Sequence, residues 1–308
     1  MSLDYYLDKF QKLRVDKRGD HERPHKPCML LAVIGLAEAG RLQENKIRFD
    51  EPLLDRYYSI FERVRTESDH ANPYFPFFHL RSEGFWHLQP IPGREAVLEA
   101  MDSARSISAI TDNIDHVQLD EELFELLGEP DSRDALREML LTRWFGNKLA
   151  KLQDIELEDR YESQLRGSVG HPVNEQPVEY SKPVRDTAFR RIVIEAYDFR
   201  CAATGTRLVL PGQQVLVQAA HLIPFSDSRD DDPCNGIALT PDIHWAMDRN
   251  FISPGPDLRW HVSRLIDQRI TDNQPLLSLD GRELLLPRDK RFWPRKDALA
   301  ARLNSLCT

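Results

Sequence analysis

Few folds are open to the stretch from His221 to Phe251. Alternating residues in "QQVLVQAAH" read as a strand that ends on His221. An Asp-rich loop follows, Asn235-Gly236 is a tight-turn signal, and "IALT" reads as a second strand. Thr240 then supplies a helix cap and Pro241 a first helical residue. Strand, loop, strand and helix in such short succession demand a small mixed α and β unit. Its polar residues must sit where those elements meet.

On that helix His244 and Asp248 lie four residues apart and share one face. An imidazole and a carboxylate so placed can both reach one divalent ion. A neutral imidazole at the end of the neighbouring strand can take a proton from water, while a metal opposite steadies a leaving oxygen. That is the chemistry of phosphodiester hydrolysis. Each piece alone has an ordinary reading: a structural histidine, a hairpin turn, a solvated helix pair. Their order and spacing together favour a hydrolytic site.

Strand, loop, strand and helix with His221, Asn235 and His244 at these intervals resemble the HNH (ββα-metal) nucleases. The resemblance covers roughly residues 187–290 and includes "CAATGT" before the first strand. It implies that His221 is the general base and that Asn235 pins the loop and orients the base. It also implies that His244 is a metal ligand, with Asp248 in a ligand-type position one turn later. Many such nucleases carry Asp or His just before the base; here that residue is Ala220. The ion is then held by fewer protein groups, with water or phosphate completing the shell, or Asp227 or one of Asp230–Asp232 swings in. Mg²⁺ or Mn²⁺ suits this mixed shell best, although imidazole also suits Zn²⁺ and Ni²⁺.

The remaining sequence is long enough, at 308 residues, for two ordinary domains. Amphipathic helices are expected over 4–14, 27–40 and 51–67, an acidic helix at 119–128 and a further one at 132–145. The aromatic stretch 72–90, cut by Pro76 and turned at "SEG", reads as a short hairpin. Residues 151–186 lose periodicity and read as a linker, which gives domains of 1–150 and 187–308. The expected class is α+β: a mostly helical N-terminal domain with a small hairpin or sheet, then the ββα unit.

Charge, cysteines and hydropathy narrow the function. The net charge of −9 weighs against nucleic acid, yet 182–207 carries six Lys/Arg against three acids and 288–302 six against two. Local patches set the field that phosphates feel. The four cysteines form no CxxC pair, which argues against a thiolate zinc site or a disulfide framework. No apolar run reaches bilayer length and the N-terminus lacks a signal-peptide core, so a cytoplasmic protein without a membrane partner is expected.

A nuclease module this small carries little selectivity, so the N-terminal domain is expected to choose the target. The layout resembles modification-dependent (type IV) restriction endonucleases. "HERPHKPCMLLAVIGL" with "NPYFPFFHLRSEGFWHL" resembles the sulfur-binding domains that recognise phosphorothioate DNA. In that resemblance Phe75 and Pro76 stand where a Tyr-Pro pair would cup the sulfur. Arg23, His25 and Lys26 become partners for the phosphate charge, and His79 takes a place where a small residue is expected. The plainer reading makes Phe75, Phe77, Phe85 and Trp86 mostly core. The resulting expectation is a metal-dependent endonuclease for modified, phosphorothioate double-stranded DNA, in which a double-strand cut implies a homodimer or two sequential binding events. The alternatives are an inactive HNH-containing regulatory DNA-binding protein, a reader of modified bases, or an RNA-cutting nuclease.

Overall fold

The computed structural model describes residues 2–19, 21–170, 180–210 and 214–307. The chain divides into two compact units, Met1–Arg160 and Tyr161–Thr308.

The first unit is built around the helix His25–Glu38. Its sequence is apolar on every side, and every residue from His25 to Leu36 is buried. A helix without a polar face can only be central. The helices Glu51–Val64, Glu121–Gly128 and Pro130–Phe145 pack on it. Glu51–Val64 begins where the Asp50 carboxylate accepts the Leu53 amide, with Pro52 in the first turn, and it buries Leu53, Tyr57, Ile60 and Phe61. A two-stranded antiparallel sheet joins Trp86–Pro90 to Ile114–Leu119, with Trp86 opposite Leu119.

The expected hairpin over 72–90 is replaced by a helix, Tyr74–His79, and a 3₁₀ turn, Leu80–Glu83, stopped by Gly84 at φ 90°. Pro76 misled the reading because it sits in the first helical turn, where no intrahelical N–H is needed. The strand Trp86–Pro90 then finds its partner well downstream. Phe77, Phe85 and Trp86 are core, and the Trp86 indole donates to the Phe77 carbonyl at 2.8 Å; Phe75 remains 41% exposed.

Within the stretch expected to be a linker, Gln153–Gly167 is a helix. It lacked an apolar period because carboxylates take up much of its buried surface: Glu158, Asp159 and Glu162 are almost wholly buried. Arg56 Nε meets Asp159 at 3.3 Å and Arg63 meets Glu158 at 2.6 Å. Gly35 makes room, since a Cβ there would lie 2.5 Å from the Asp159 carboxylate. Residues 171–179 of the same stretch lie outside the described residues.

In the second unit the helix Lys182–Ala196 packs across the antiparallel pair Gln218–His221 and Gly236–Leu239, in which His221 faces Gly236. The strand expected over 214–220 is broken: Gln214–Val215 pairs with Val209–Leu210, and a new strand starts at Gln218. The helix Pro241–Asp248 follows, then a second strand pair, Ile252–Pro254 with Trp260–Val262, and a last helix, Lys296–Asn304. The turn at 201–206 is buried at Cys201–Ala203, and Ala202 donates to the Ala238 carbonyl at 2.8 Å, which closes the sheet edge.

Gly236 is required by packing, because an added Cβ would stand 2.4 Å from Val193 Cγ2 and 2.8 Å from Phe189 Cζ. Gly236→Ala should destabilise the second unit by about 1–3 kcal/mol through overpacking. Thermal unfolding of the purified variant reads this as a lowered midpoint, and an unchanged midpoint would contradict it.

Candidate active site and a candidate DNA-facing cavity

His221 closes its strand with the imidazole stacked flat on Phe189, centroids 3.9 Å apart and planes within 3°. Its Nε2 lies 2.9 Å from Asp231 Oδ1. The other oxygen of Asp231 accepts the Tyr161 hydroxyl at 3.0 Å and the Arg185 guanidinium at 3.0 Å. Arg185 in turn lies over the Phe225 ring at 3.7 Å. Burial works to raise the Asp231 carboxyl, but the bonds from His221, Arg185 and Tyr161 outweigh it and hold the group below the ordinary carboxylate range.

Asn235 is fully buried and all its side-chain bonds go to the preceding loop. Its Oδ1 accepts the Ile223 amide at 3.0 Å, and its Nδ2 donates to the carbonyls of Ile223 and Asp230, each at 3.0 Å. Asp230 and Asp232, one residue either side of Asp231, turn the other way and grip Arg295 at 2.6 and 2.8 Å. The Asp-rich run, read from sequence as loop, is therefore three buried carboxylates with assigned partners. Sequence reasoning offered Asp230–Asp232 only as stand-in metal ligands, and the structure engages them with Arg295, His221 and Arg185 instead; it missed Arg185 and Tyr161. The Asn235-Gly236 pair is not the expected tight turn: Asn235 ends a 3₁₀ turn and Gly236, at φ −119°, begins the strand.

His244 and Asp248 share a face as expected, with Nε2 and Oδ2 3.3 Å apart, and His244 Nδ1 lies 2.9 Å from Gln218 Oε1. Gln218 and His221 are three residues apart on one strand and project to opposite faces. Gln218 meets the helix Pro241–Asp248, whereas His221 meets Phe189 on the helix Lys182–Ala196. Gln218 is on the same face as Ala220 by this alternation, so the polar group there is an amide that the sequence reading did not single out.

Among the described residues no three His, Cys, Asp or Glu side chains converge as a metal cage. His244 Nε2 and Asp248 still offer an imidazole and a carboxylate facing each other, while Gln218 bonds Nδ1 on the far side of the ring and orients it. Such a pair fits a hard divalent ion that keeps water and phosphate oxygens as most of its ligands, and not a closed structural zinc. Cys28, Cys201 and Cys234 are buried free thiols, and burial pushes Cys234 up to about 12.

In the first unit a cavity of about 340 Å³ is lined by Arg14, Arg23, His25, Lys26, Phe75 and His79 among others. Five residues singled out from sequence meet there; Pro76 is buried and does not line it. Phe75 and His79 stand one turn apart with ring centroids 4.3 Å apart. Lys26 is paired with Glu83 and reaches Ser82 Oγ at 3.3 Å, while Arg23 lies 3.4 Å from Asp16. His25 Nε2 donates to the His70 carbonyl at 2.9 Å. Burial lowers the His25 imidazole, and burial with the Lys26 and Arg81 charges lowers His79. Both rings then favour the neutral form at pH 7, and the cavity combines apolar ring surface with Lys26 and Arg23, matched to Glu83 and Asp16, and with Arg14.

The helical unit carries this cavity, and a strand–loop–strand–helix unit follows it in the chain. The family model described as ScoMcrA-like, DNA sulfur-binding domain matches residues 4–159, and the HNH endonuclease model matches 201–253. The chain belongs to the ScoMcrA-like DNA sulfur-binding domain family and carries a C-terminal HNH domain.

Three solved structures are similar to it. The sulfur-binding domain of SprMcrA complexed with phosphorothioated DNA is 20% identical, with 52% of this chain and 97% of that one covered and a TM-score of 0.39. The type IV phosphorothioation-dependent restriction endonuclease ScoMcrA is 10% identical over 78% of this chain and 94% of that one, at 0.36. The modification-dependent TagI restriction endonuclease is 20% identical over 42% of this chain and 40% of that one, at 0.31. Likenesses this loose carry nothing on residue chemistry. No curated protein matches the chain. Among the described residues no helix is long and apolar enough to cross a membrane.

The lowered histidines give a pH dependence with a definite sign. Below the unfolded value of about 6.5 the unfolded chain binds a proton that folded His25 refuses, so stability falls as pH drops through that range. Urea unfolding from pH 8 to 5 should show this slope, and His25→Gln should flatten it. An equal slope in the variant would contradict the assignment.

Proposed function

We propose that the chain is a modification-dependent DNA endonuclease that takes up phosphorothioate DNA through its first unit and hydrolyses a phosphodiester bond with its second. The observation that carries the nuclease half is His221, held at a strand end by Asp231 beside a loop pinned by Asn235. The imidazole takes a proton from water, the hydroxide attacks phosphorus, and the P–O bond to the leaving oxygen breaks, that oxygen taking a proton from solvent. Phe189 fixes the ring plane and Asn235 fixes the loop that bears Asp231. His244 and Asp248, with Gln218 orienting the imidazole from its other nitrogen, would hold a divalent ion, Mg²⁺ or Mn²⁺, which would supply charge stabilisation at the phosphate and the leaving oxygen; because His221 is the last residue of its strand, the phosphate would lie across that strand end, between His221 and this pair. One such site cuts one strand, so a double-strand break takes two copies of the chain.

The reading half rests on family membership and on the make-up of the cavity. Sulfur in place of a phosphate oxygen is larger, softer and poorly hydrated. Ring surface from Phe75 and His79 accepts it, whereas a better hydrated oxygen loses water there without an equal return. Arg14 and Arg23 are the lining cations that would meet the remaining phosphate charge, Arg23 by trading its 3.4 Å contact with Asp16, since Lys26 is held by Glu83.

Two measurements test this. Supercoiled plasmid bearing phosphorothioates should be nicked with Mg²⁺ or Mn²⁺, not in EDTA, and about 10²–10⁴-fold more slowly by His221→Ala. Intact cutting by that variant would remove His221 from the mechanism, and DNA binding without any cutting would leave a DNA-binding protein. In binding assays with plain, phosphorothioate and base-methylated duplexes, the phosphorothioate should bind tightest. Phe75→Ala should erode that preference by about ten-fold; equal affinity for all three would discard the reader.

A further inference from the structure

We propose that Asp231 is the positioning residue of the nuclease site, fixing both the orientation of His221 and its proton on Nε2 so that Nδ1 presents the lone pair to water. The inference rests on the nuclease reading and deepens it.

Three observations carry it. Asp231 is 3% exposed and sits between acids that face elsewhere, so its direction is set by its own partners. Among the described residues one of its oxygens faces His221, while the other is occupied by Tyr161 and Arg185. A carboxylate in that setting can only accept, so the imidazole nitrogen facing it must donate. Phe189 stacked beneath the ring removes the remaining freedom of tilt, and a fifth of the His221 side chain stays open to solvent. The proton balance is simple: water gives its proton to Nδ1, Nε2 keeps its own, and the imidazolium formed is steadied by the carboxylate.

Asp231→Asn is the discriminating variant because it is isosteric. The Tyr161 and Arg185 donors will claim the single carbonyl oxygen, which turns the amide NH₂ toward His221 and demands an acceptor at Nε2. The proton then moves to Nδ1, the nitrogen needed for catalysis. In the full chain, kcat for nicking phosphorothioate plasmid should fall at least about 100-fold with KM unchanged. Nitrogen-15 spectra of the neutral imidazole, assigned by the signal lost in His221→Asn, should show the proton move from Nε2 to Nδ1. Tyr161→Phe, which removes one bond to Asp231 and no charge, should lower kcat about ten-fold with KM unchanged. It serves as the test if Asp231→Asn does not fold. An unmoved tautomer, or kcat preserved in either variant, overturns the proposal. If the wild-type chain cuts nothing while the tautomer still switches, the nuclease reading fails and the positioning role stands.

Discussion

Asn235 has no exposed surface, and its amide is fully committed to Ile223 and Asp230. Moving the loop that holds those partners would strand buried donors and acceptors, at about 1–3 kcal/mol each. Much of the second unit depends on that constraint. It sets where Asp231 points, and Asp231 sets His221. It also fixes Asp230 and Asp232, which hold Arg295, the residue that begins the last helix. One buried amide therefore connects the candidate base to the end of the chain.

The two units bury charge in the same manner. Arg56 with Asp159 and Arg63 with Glu158 fasten the helix Gln153–Gly167 in the first unit, much as Arg295 and Arg185 meet the carboxylates of the second. Buried pairs of this kind contribute little net stability against apolar replacements, but losing one partner costs about 3–5 kcal/mol. They specify which arrangement forms. In the candidate reader cavity the same pairing leaves Lys26 matched by Glu83 and two histidines neutral. On the proposed reading, selectivity then comes from desolvation at the rings more than from charge, because charge alone would not separate sulfur from oxygen.

Local signals made part of this legible. A strand ending on His221, a second strand at "IALT" and a helix start at Thr240–Pro241 are written in local pattern, and the described elements fall there, although the first strand is split and the Thr240 hydroxyl donates to Cys201 Sγ at 3.7 Å instead of capping the helix. The i, i+4 relation of His244 and Asp248 is simple helix geometry. The contact of Asp231 with His221 was not legible, and the residue was offered only as a stand-in metal ligand: its partner Tyr161 lies 70 residues away, and an acidic loop ordinarily faces solvent. The helix Gln153–Gly167 was hidden because much of its buried surface is acidic, and the turn of chain around Pro76 because a first-turn proline looks like a breaker. In each case the missing information was the identity of a distant partner.

The central claim is that the His221 site breaks DNA marked by sulfur. One plasmid prepared with and without phosphorothioate linkages, otherwise identical, tests it most directly when incubated with the full chain and Mn²⁺. The account predicts strand breaks in the sulfur-bearing plasmid and none in its plain twin. Equal cutting of both, or of neither, would contradict it.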